Sequence, residues 1–338
     1  MRVVYTYGLL AGGGCERRTG QLMRWLLDRG DDAWLLGTGW AEAGQAMMLE
    51  QCKVPADRIV IMPAEQLSSG SYEDFLSENI ERLEADVIDV QWTSCLPSRW
   101  TRPSVFTMHG ISQPVPAHAP FSKMICIENL PSGHPGYHQE SQTKIEVIWN
   151  WVDLDQFPFQ RDLGEGACYV GRSFKAANAL KVCTVDPDVT IDGYGTDFDL
   201  AARDFPANFR WLGYAKPEEF IYRYRVVFGC AIAAVEGLAA GRLVIAGGWQ
   251  GYAGRQTYGH LVRPHLLERM SGDQFTGQSQ ADAVEPTAEE VYRDFQLAME
   301  DDMTEQRLMM RAWVEQYHHP DRQMEKVRRV YEEAIARE

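Results

Sequence analysis

The sequence lacks the features that mark several large classes of protein. Its seven cysteines are scattered singly, with no C-x-x-C pair, which is typical of reduced thiols rather than of a disulfide scaffold or a zinc site. No stretch of about 18 residues is apolar without interruption by charge or frequent glycine, so we expect no transmembrane helix. The motif G-x-G-x-x-G does not follow the first predicted strand, which disfavours an NAD-dependent oxidoreductase.

Positive charge is also scarce. The 338 residues include 33 lysines and arginines against 48 aspartates and glutamates, a formal net charge of −15. This balance disfavours tight binding to nucleic acid or anionic lipid but is compatible with a local basic cleft for a phosphorylated ligand. The segment MRVVYTYGLL has one basic residue and a short apolar run, which predicts a strand rather than a signal peptide. We therefore expect a cytoplasmic protein.

Strand and helix signals alternate along the chain, a pattern typical of parallel sheets with helices on both faces. The segment 151–166, WVDLDQFPFQRDLGEG, interrupts this alternation with turn-forming residues and predicts a linker. We expect an α/β protein with two Rossmann-like parallel-sheet domains that face each other across a cleft. The predicted domains are residues 1–153 and 166–310, and a C-terminal helix in 311–338 is expected to return to the first domain.

Ligands of open α/β sheets bind at the turns that follow strands, and two such turns in the first domain carry candidate residues. In AGGGCERR, Gly13 and Gly14 would let backbone N–H groups approach an oxyanion at the start of a helix. The alternative is a flexible connection without a ligand. In VFTMHG, His109 would orient a ligand hydroxyl or carry a proton, or it is a polar loop residue without such a role.

The second domain offers a cationic turn and a buried carboxylate. Arg172 and Lys175 are three residues apart after the strand ACYV, where both cations could point at one pyrophosphate, although both could also be solvated surface residues. Glu236 lies in a helix predicted from Ala231 to Ala240 that is apolar or small all round. A buried carboxylate needs partners. Two vicinal ribose hydroxyls would provide them, as would a structural ion pair with an arginine.

These turns, taken in order, resemble the nucleotide-sugar glycosyltransferases of the GT-B fold, specifically the family 4 type. The resemblance covers about residues 1 to 260 and depends on the ordered set rather than on any single motif. The segments that carry it are AGGGCERRTGQLMRWLLDRGDDAWLLG, DVIDVQW, PSVFTMHG, KIEVIWNWVDLDQF, YVGRSFKAANAL, FRWLGYAKPEEF and VEGLAAGRLVIAGGWQGY.

The resemblance implies catalytic roles for His109, Arg172 and Lys175. His109 would contact the transferred sugar or the acceptor. The two cations would neutralise the departing diphosphate, so that no metal ion is required. Gly13 and Gly14 would face the donor phosphates and the reaction centre.

The resemblance also implies a donor site in the second domain. Tyr214 would lie near the nucleobase, and the amides of Ala231 and Ile232 would contact a phosphate. Glu236 matches the second glutamate of the family's E-x7-E element, which would hold the ribose. The first glutamate falls at Phe228, where this chain departs from the family pattern. Phe228 and Asn150 are therefore further candidates for contact with the sugar or the acceptor.

The expected function is transfer of a hexosyl or pentosyl group from a nucleoside diphosphate sugar to an acceptor hydroxyl, with retention of configuration and without a cofactor. UDP is taken as the expected nucleotide. The acceptor is open between a glycan, a lipid, a metabolite and a modified DNA base, and Arg17, Arg18 and Arg24 could touch a membrane surface. The alternatives are a catalytically silent nucleotide-sugar-binding protein, which Phe228 favours, and a sugar-nucleotide epimerase of similar fold.

Overall fold

The structure is a computed structural model that describes most of the chain. The described residues are 1–63, 71–92, 94–109, 120–127, 145–195, 205–247, 258–272, 274–275 and 285–337. The chain forms two compact units. The first unit comprises Met1–Ile148 together with Gln323–Glu338, and the second unit comprises Trp149–Arg322.

The first unit is built on a seven-stranded parallel sheet whose strand order is β5-β3-β1-β6-β7-β8-β9. Its central strands β1, β6 and β7 are almost wholly buried, as expected for a parallel sheet covered on both faces. Two short strands, β2 and β4, pair separately. The strands are β1 Arg2–Thr6, β2 Leu9–Leu10, β3 Asp32–Gly37, β4 Gly39–Trp40, β5 Ile59–Ile61, β6 Val87–Val90, β7 Ser104–Met108, β8 Lys123–Cys126 and β9 Ile145–Val147.

The helices of the first unit include the last helix of the chain, which packs against the sheet from residue 323 onward. Its buried face carries Val327, Val330, Tyr331 and Ala334. The helices are α1 Gly14–Asp28, α2 Glu42–Ala46, α3 Tyr72–Arg82 and, at the C-terminus, α10 Pro320–Ile335, with shorter helical turns at Met47–Gln51 and Ala56–Arg58. No helix in the described ranges combines the length and apolar character that crossing a bilayer requires.

The second unit has a five-stranded parallel sheet with the order β12-β11-β10-β13-β14. In chain order this is 3-2-1-4-5, the arrangement of a Rossmann-like sheet, and the larger sheet of the first unit begins with the same order. Each sheet therefore has a topological switch point, between β1 and β6 in the first unit and between β10 and β13 in the second. The strands are β10 Ala167–Val170, β11 Ile191–Tyr194, β12 Phe209–Gly213, β13 Val226–Gly229 and β14 Leu243–Ala246.

Helices cover both faces of this second sheet. Alternate strand residues point to opposite faces, so Val227 and Val244 pack in one apolar cluster while Phe228 and Ile245 pack in the other. The helices are α4 Ala177–Val185, α5 Pro217–Phe220, α6 Ile232–Ala239, α7 Leu267–Ser271, α8 Ala288–Glu300 and α9 Thr304–Tyr317, with 3₁₀ turns at Ser173–Lys175, Ile221–Arg223 and Pro264–Leu266. The predicted fold class, an α/β protein with two Rossmann-like parallel sheets, is confirmed.

Two arginines of α9 form hydrogen bonds with both the segment before β10 and the end of α6. The guanidinium of Arg307 donates to the carbonyl oxygens of Gly241 at 2.6 Å, Gln160 at 2.7 Å and Arg161 at 2.9 Å. Arg311 donates in the same region to the carbonyl oxygen of Ala239 at 2.7 Å. Cations at a helix C-terminus are favourable because they satisfy the last carbonyl groups and oppose the negative end of the helix dipole.

We expect the substitution Arg307→Met to lower the free energy of unfolding by about 2–4 kcal/mol, because it removes the donor to the carbonyl groups of Gly241 and Arg161 and one of the two donors to that of Gln160. Urea denaturation followed by circular dichroism measures this loss. The matched control is Arg322→Met at an exposed arginine, for which a change within about 0.5 kcal/mol is expected. Equal losses in the two variants would show that the buried contacts of Arg307 do not stabilise the fold.

Candidate functional site

The predicted site residues lie where parallel strands end. In the first unit, α1 begins at Gly14 and His109 directly follows β7. In the second unit, Arg172 comes two residues after β10, Tyr214 follows β12, and Ala231 lies between β13 and α6. Because ligands of such sheets bind at the carboxyl ends of the strands near a switch point, these positions are compatible with a binding site in each unit.

The glycine-rich turn before α1 binds a side-chain carboxylate of the protein itself. The carboxylate of Glu16, which is 5% exposed, accepts hydrogen bonds from the backbone N–H groups of Ala11 and Gly13, both at 3.0 Å. Gly12 has φ +84°, and a Cβ atom there would lie 2.7 Å from the backbone of Ala43, so this position requires glycine. The amide of Gly13 is thus engaged within the turn, and a phosphate contact here would depend on other amides, such as that of Gly14.

A buried carboxylate organises the end of β6. Asp89 is fully buried, and its carboxylate accepts hydrogen bonds from the hydroxyl of Tyr331 on α10 at 2.5 Å and from the hydroxyl of Thr107 on β7 at 2.8 Å. The side chain of Gln91 also donates to it. Burial raises the pKa of Asp89 to about 6, while these hydrogen bonds and the cation of Arg18 oppose the rise. Asp89 was not among the predicted site residues, although a carboxylate inside an apolar strand is a usable signal.

His109 is held by the same group of residues. Its Nε2 lies 2.7 Å from Oε1 of Gln91, and its ring stacks on Trp92 with 5.8 Å between ring centroids. Burial lowers the pKa of His109 to about 3, and the nearby cation of Arg18 adds to the effect. A histidine with this pKa is a poor proton carrier near neutral pH. Of the two predicted roles, its surroundings support the orienting one.

The arginines of α1 do not form a membrane-facing surface. Arg17 is 8% exposed and Arg18 is 2% exposed, so both guanidinium groups are inside the first unit. Arg24 is exposed and pairs with Asp28 one helical turn later. Of the three cations that could touch a membrane surface, only Arg24 is therefore not buried.

The turn after β10 carries the predicted phosphate-binding cations. The backbones of Gly171 and Gly195 approach so closely that a Cβ atom on Gly195 would lie 1.8 Å from the carbonyl oxygen of Gly171. Arg172 then caps the 3₁₀ turn Ser173–Lys175, and its carbonyl oxygen accepts hydrogen bonds from the hydroxyl of Tyr169 and the amide of Lys175. Within the described ranges Arg172, which is half-buried, forms no ion pair.

The turn from β13 to α6 consists only of Cys230 and Ala231. Ala231 has φ +51° and ψ −130°, a conformation that favours glycine, and its N–H group donates to the carbonyl oxygen of Gln274 at 2.7 Å. The predicted contact of the Ala231 amide with a phosphate stays a prediction, and it would require this amide to leave its internal acceptor. The predicted contact of Ile232, the first residue of α6, stays a prediction.

Glu236 occupies the middle of α6 and is 1% exposed. The residues from Ala233 to Ala239 are all buried, as the apolar sequence of this helix predicted. The contact of Glu236 with a ribose stays a prediction, as does the alternative of an internal ion pair.

Phe228 packs in the core of the second unit. It is the third residue of β13, is 1% exposed, and stacks on Phe295 of α8 with 6.1 Å between ring centroids. Counting eight residues back from Glu236 leads into the strand, because the turn before α6 has only two residues. The predicted contact of this position with the sugar or the acceptor stays a prediction that its burial does not support.

Asn150 is also used internally. Its side-chain amide donates to Oε1 of Gln274 at 2.8 Å, and its carbonyl oxygen accepts a hydrogen bond from Nδ1 of His318. Asn150 is 9% exposed and His318 is 3% exposed, so neither is solvated. Asn150 thus connects the start of the second unit to the residue that restrains Ala231, and its predicted contact with the sugar or acceptor is not supported. Tyr214, by contrast, is 42% exposed and stays a candidate for contact with a nucleobase.

Solved structures with the same fold include sugar-transferring enzymes. A glycosyltransferase from Rickettsia africae ESF-5 is 14% identical over 99% of this chain and 99% of that chain, with a TM-score of 0.67. WaaG, a glycosyltransferase involved in lipopolysaccharide biosynthesis, is 10% identical over 96% and 98% of the two chains, with a TM-score of 0.62. A UDP-GlcNAc 2-epimerase from Neisseria meningitidis bound to UDP-GlcNAc is 11% identical over 97% and 98%, with a TM-score of 0.58.

These similarities show the fold of the chain, which is that of the GT-B glycosyltransferases. Neither a scan against protein-family models nor a search of curated proteins gives a match. The assignment to the family 4 type accordingly stays a resemblance of sequence motifs.

The pKa of His109 predicts how its contribution to stability depends on pH. The folded protein holds His109 with a pKa of about 3, below the ordinary value of 6.5, so the unfolded chain binds the extra proton as the pH falls below 6.5. We expect the variant His109→Gln to gain about 1–2 kcal/mol in free energy of unfolding relative to the unmodified protein between pH 7 and pH 5. Urea denaturation at both pH values measures this difference, and a difference independent of pH would contradict the buried neutral state.

The backbone of Ala231 predicts a stabilising substitution. We expect Ala231→Gly to raise the free energy of unfolding by about 1 kcal/mol, because glycine adopts a positive φ without the strain of a Cβ atom. The control is Ala234→Gly in the interior of α6, which should lower it by about 1 kcal/mol or more. Urea denaturation compares the two variants. A loss of stability for Ala231→Gly as large as that of the control would be incompatible with strain at this turn.

Proposed function

We propose that the protein is a glycosyltransferase that moves a hexosyl or pentosyl group from a nucleoside diphosphate sugar to an acceptor hydroxyl. The observation that carries this proposal is Arg172, a cation without an ion pair among the described residues, placed just after the central strand β10 of a Rossmann-like sheet. The similarity of fold to glycosyltransferases supports the reaction class.

The charges around α6 favour a diphosphate at the switch point of the second unit. Arg307 and Arg311 neutralise the carbonyl end of this helix, so the opposite end keeps its partial positive charge. Arg172 and Lys175 follow the neighbouring strand β10. Two cations and a helix N-terminus would stabilise the negative charge that builds up on a leaving diphosphate, which is the main electrostatic task of sugar transfer.

Three further features belong to the proposal and rest on the motif resemblance. These are retention of anomeric configuration, independence of a metal ion, and hydrogen bonds from the ribose hydroxyls of the donor to the carboxylate of Glu236. UDP is the nucleotide we would test first. The acceptor is a glycan, a lipid, a metabolite or a modified base, and the net charge of −15 is least favourable for duplex DNA. A cytoplasmic location fits a donor of this kind.

A sugar-nucleotide epimerase is the second candidate function, favoured by the similarity of fold to the UDP-GlcNAc 2-epimerase. The two activities differ in their need for an acceptor. A transferase forms a glycoside and releases nucleoside diphosphate only as the acceptor is consumed, whereas an epimerase changes the sugar nucleotide alone. A catalytically silent binding protein would do neither, while still binding the nucleotide sugar.

Nucleotide binding and turnover test the proposal. A thermal-shift screen against UDP, GDP, ADP, TDP and their sugars should raise the melting temperature of the protein with at least one base, because a ligand of the folded state stabilises it by mass action. The double variant Arg172→Ala plus Lys175→Ala should bind that nucleotide at least about tenfold more weakly and lose sugar transfer. The control is Arg293→Ala plus Arg322→Ala, which removes two exposed cations of the second unit that lie on helices α8 and α10 and not in a turn after a strand.

Comparing the binding of inorganic pyrophosphate with that of the nucleoside diphosphate distinguishes the phosphate contacts from the ribose contact. The Arg172 and Lys175 variant should weaken binding of both pyrophosphate and the nucleoside diphosphate. Glu236→Gln should weaken only the nucleoside diphosphate, because pyrophosphate has no ribose. The proposal fails if no nucleotide stabilises the protein or if the double variant remains fully active.

A further inference from the structure

The residues around His109 form a directional chain of hydrogen bonds. It begins at Asp89, whose carboxylate is held in place by the hydroxyl groups of Tyr331 and Thr107. It continues through the side chain of Gln91, which donates to Asp89 and whose Oε1 lies 2.7 Å from Nε2 of His109. All these residues belong to the first unit. Strands β6 and β7 pair directly; they carry Asp89 and Thr107, and Gln91 and His109 follow them.

The carboxylate fixes the orientation of the Gln91 amide. An ionised carboxylate accepts hydrogen bonds and cannot donate them, so the group that Gln91 turns toward Asp89 is its NH₂. The amide oxygen therefore faces His109. Since this oxygen is an acceptor only, Nε2 of His109 carries the proton in their hydrogen bond. A second donor, the hydroxyl of Thr19, lies 3.1 Å from the same oxygen and favours the same orientation.

We propose that Gln91 is a positioning residue that holds His109 as the neutral imidazole protonated on Nε2, so that its Nδ1 accepts a hydrogen bond from a hydroxyl group of the bound sugar. This inference rests on the proposed function, which supplies a ligand rich in hydroxyl donors. The stacked ring of Trp92 fixes the plane of the imidazole, and Gln91 fixes which nitrogen carries the proton. His109 then orients a hydroxyl and does not exchange a proton with it.

The protonation state of His109 can be observed without any activity. Protein labelled with ¹⁵N in its histidines gives long-range proton–nitrogen spectra that distinguish protonated from unprotonated ring nitrogens, and the variant His109→Gln assigns the signals. We expect His109 to show an unprotonated Nδ1 and a protonated Nε2 from pH 8 to pH 7, the range in which Asp89, with a pKa of about 6, is ionised. His260, which is paired with Asp294 and has a raised pKa, serves as a titrating reference in the same spectra.

Variants of Gln91 test whether this residue sets the tautomer. Gln91→Leu removes the acceptor, and we expect both tautomers of His109 to appear, with kcat falling at least tenfold and KM for the donor changing less. Gln91→Glu keeps an acceptor for His109 but removes the NH₂ donor to Asp89, so we expect one proton to be shared between the two carboxyl groups, the proton to remain on Nε2, and the pKa of His109 to rise. Gln296→Leu, at an exposed glutamine of α8, is the matched control and should change neither spectrum nor rate.

Two results would overturn the inference. One is a protonated Nδ1 on His109 in the unmodified protein, which needs no variant and so remains decisive if Gln91→Leu does not fold. The other is an unchanged tautomer in folded Gln91→Leu. Absence of sugar transfer together with the expected Nε2–H spectrum would count against the proposed function and would leave the role of Gln91 in place.

Discussion

A carboxylate buried in the middle of a strand must be given hydrogen-bond donors, and in the first unit this requirement at Asp89 determines how the end of the sheet is built. Its donors come from α10, from β7 and from the residue that follows β6. Satisfying Asp89 thereby orients Gln91, and Gln91 in turn holds His109. The same electrostatic constraint thus supplies one contact between the last helix and the sheet and orients the residue that holds His109.

The second unit meets its electrostatic requirements in a different way. Its central helix α6 contains a single carboxylate and no cation, and the arginines that balance its carbonyl end come from α9. These arginines also hold the segment before β10. The opposite end of α6 is restrained by a strained residue, Ala231, whose amide is bound by Gln274. Strain of this kind persists only where surrounding contacts enforce it, and here Asn150 supplies one of those contacts.

The sequence was sufficient to predict the two parallel sheets, because continuous apolar runs separated by segments of helical periodicity indicate parallel strands. It was not sufficient to predict which polar groups hydrogen-bond to each other. Tyr331 and Asp89 are 242 residues apart in sequence, so their hydrogen bond leaves no local pattern. The burial of Phe228 was not foreseen, because spacing along the chain does not reveal which residue lies inside a strand and packs in the core. The hydrogen bond of the Ala231 amide was not foreseen either, since its acceptor lies on another segment.

The neutral state of His109 and the positions of Arg172 and Lys175 constrain how the proposed sugar transfer would be accelerated. A neutral His109 with a pKa of about 3 cannot remove a proton efficiently from an acceptor hydroxyl near neutral pH. Most of the barrier reduction must then come from stabilising the charge of the departing diphosphate, which is the task proposed for Arg172 and Lys175. The remaining contribution is orientation of the sugar, for which a fixed tautomer is an advantage because a rotating or titrating imidazole would present a donor as often as an acceptor. A fold that keeps its histidine neutral is therefore consistent with a reaction driven from the leaving group.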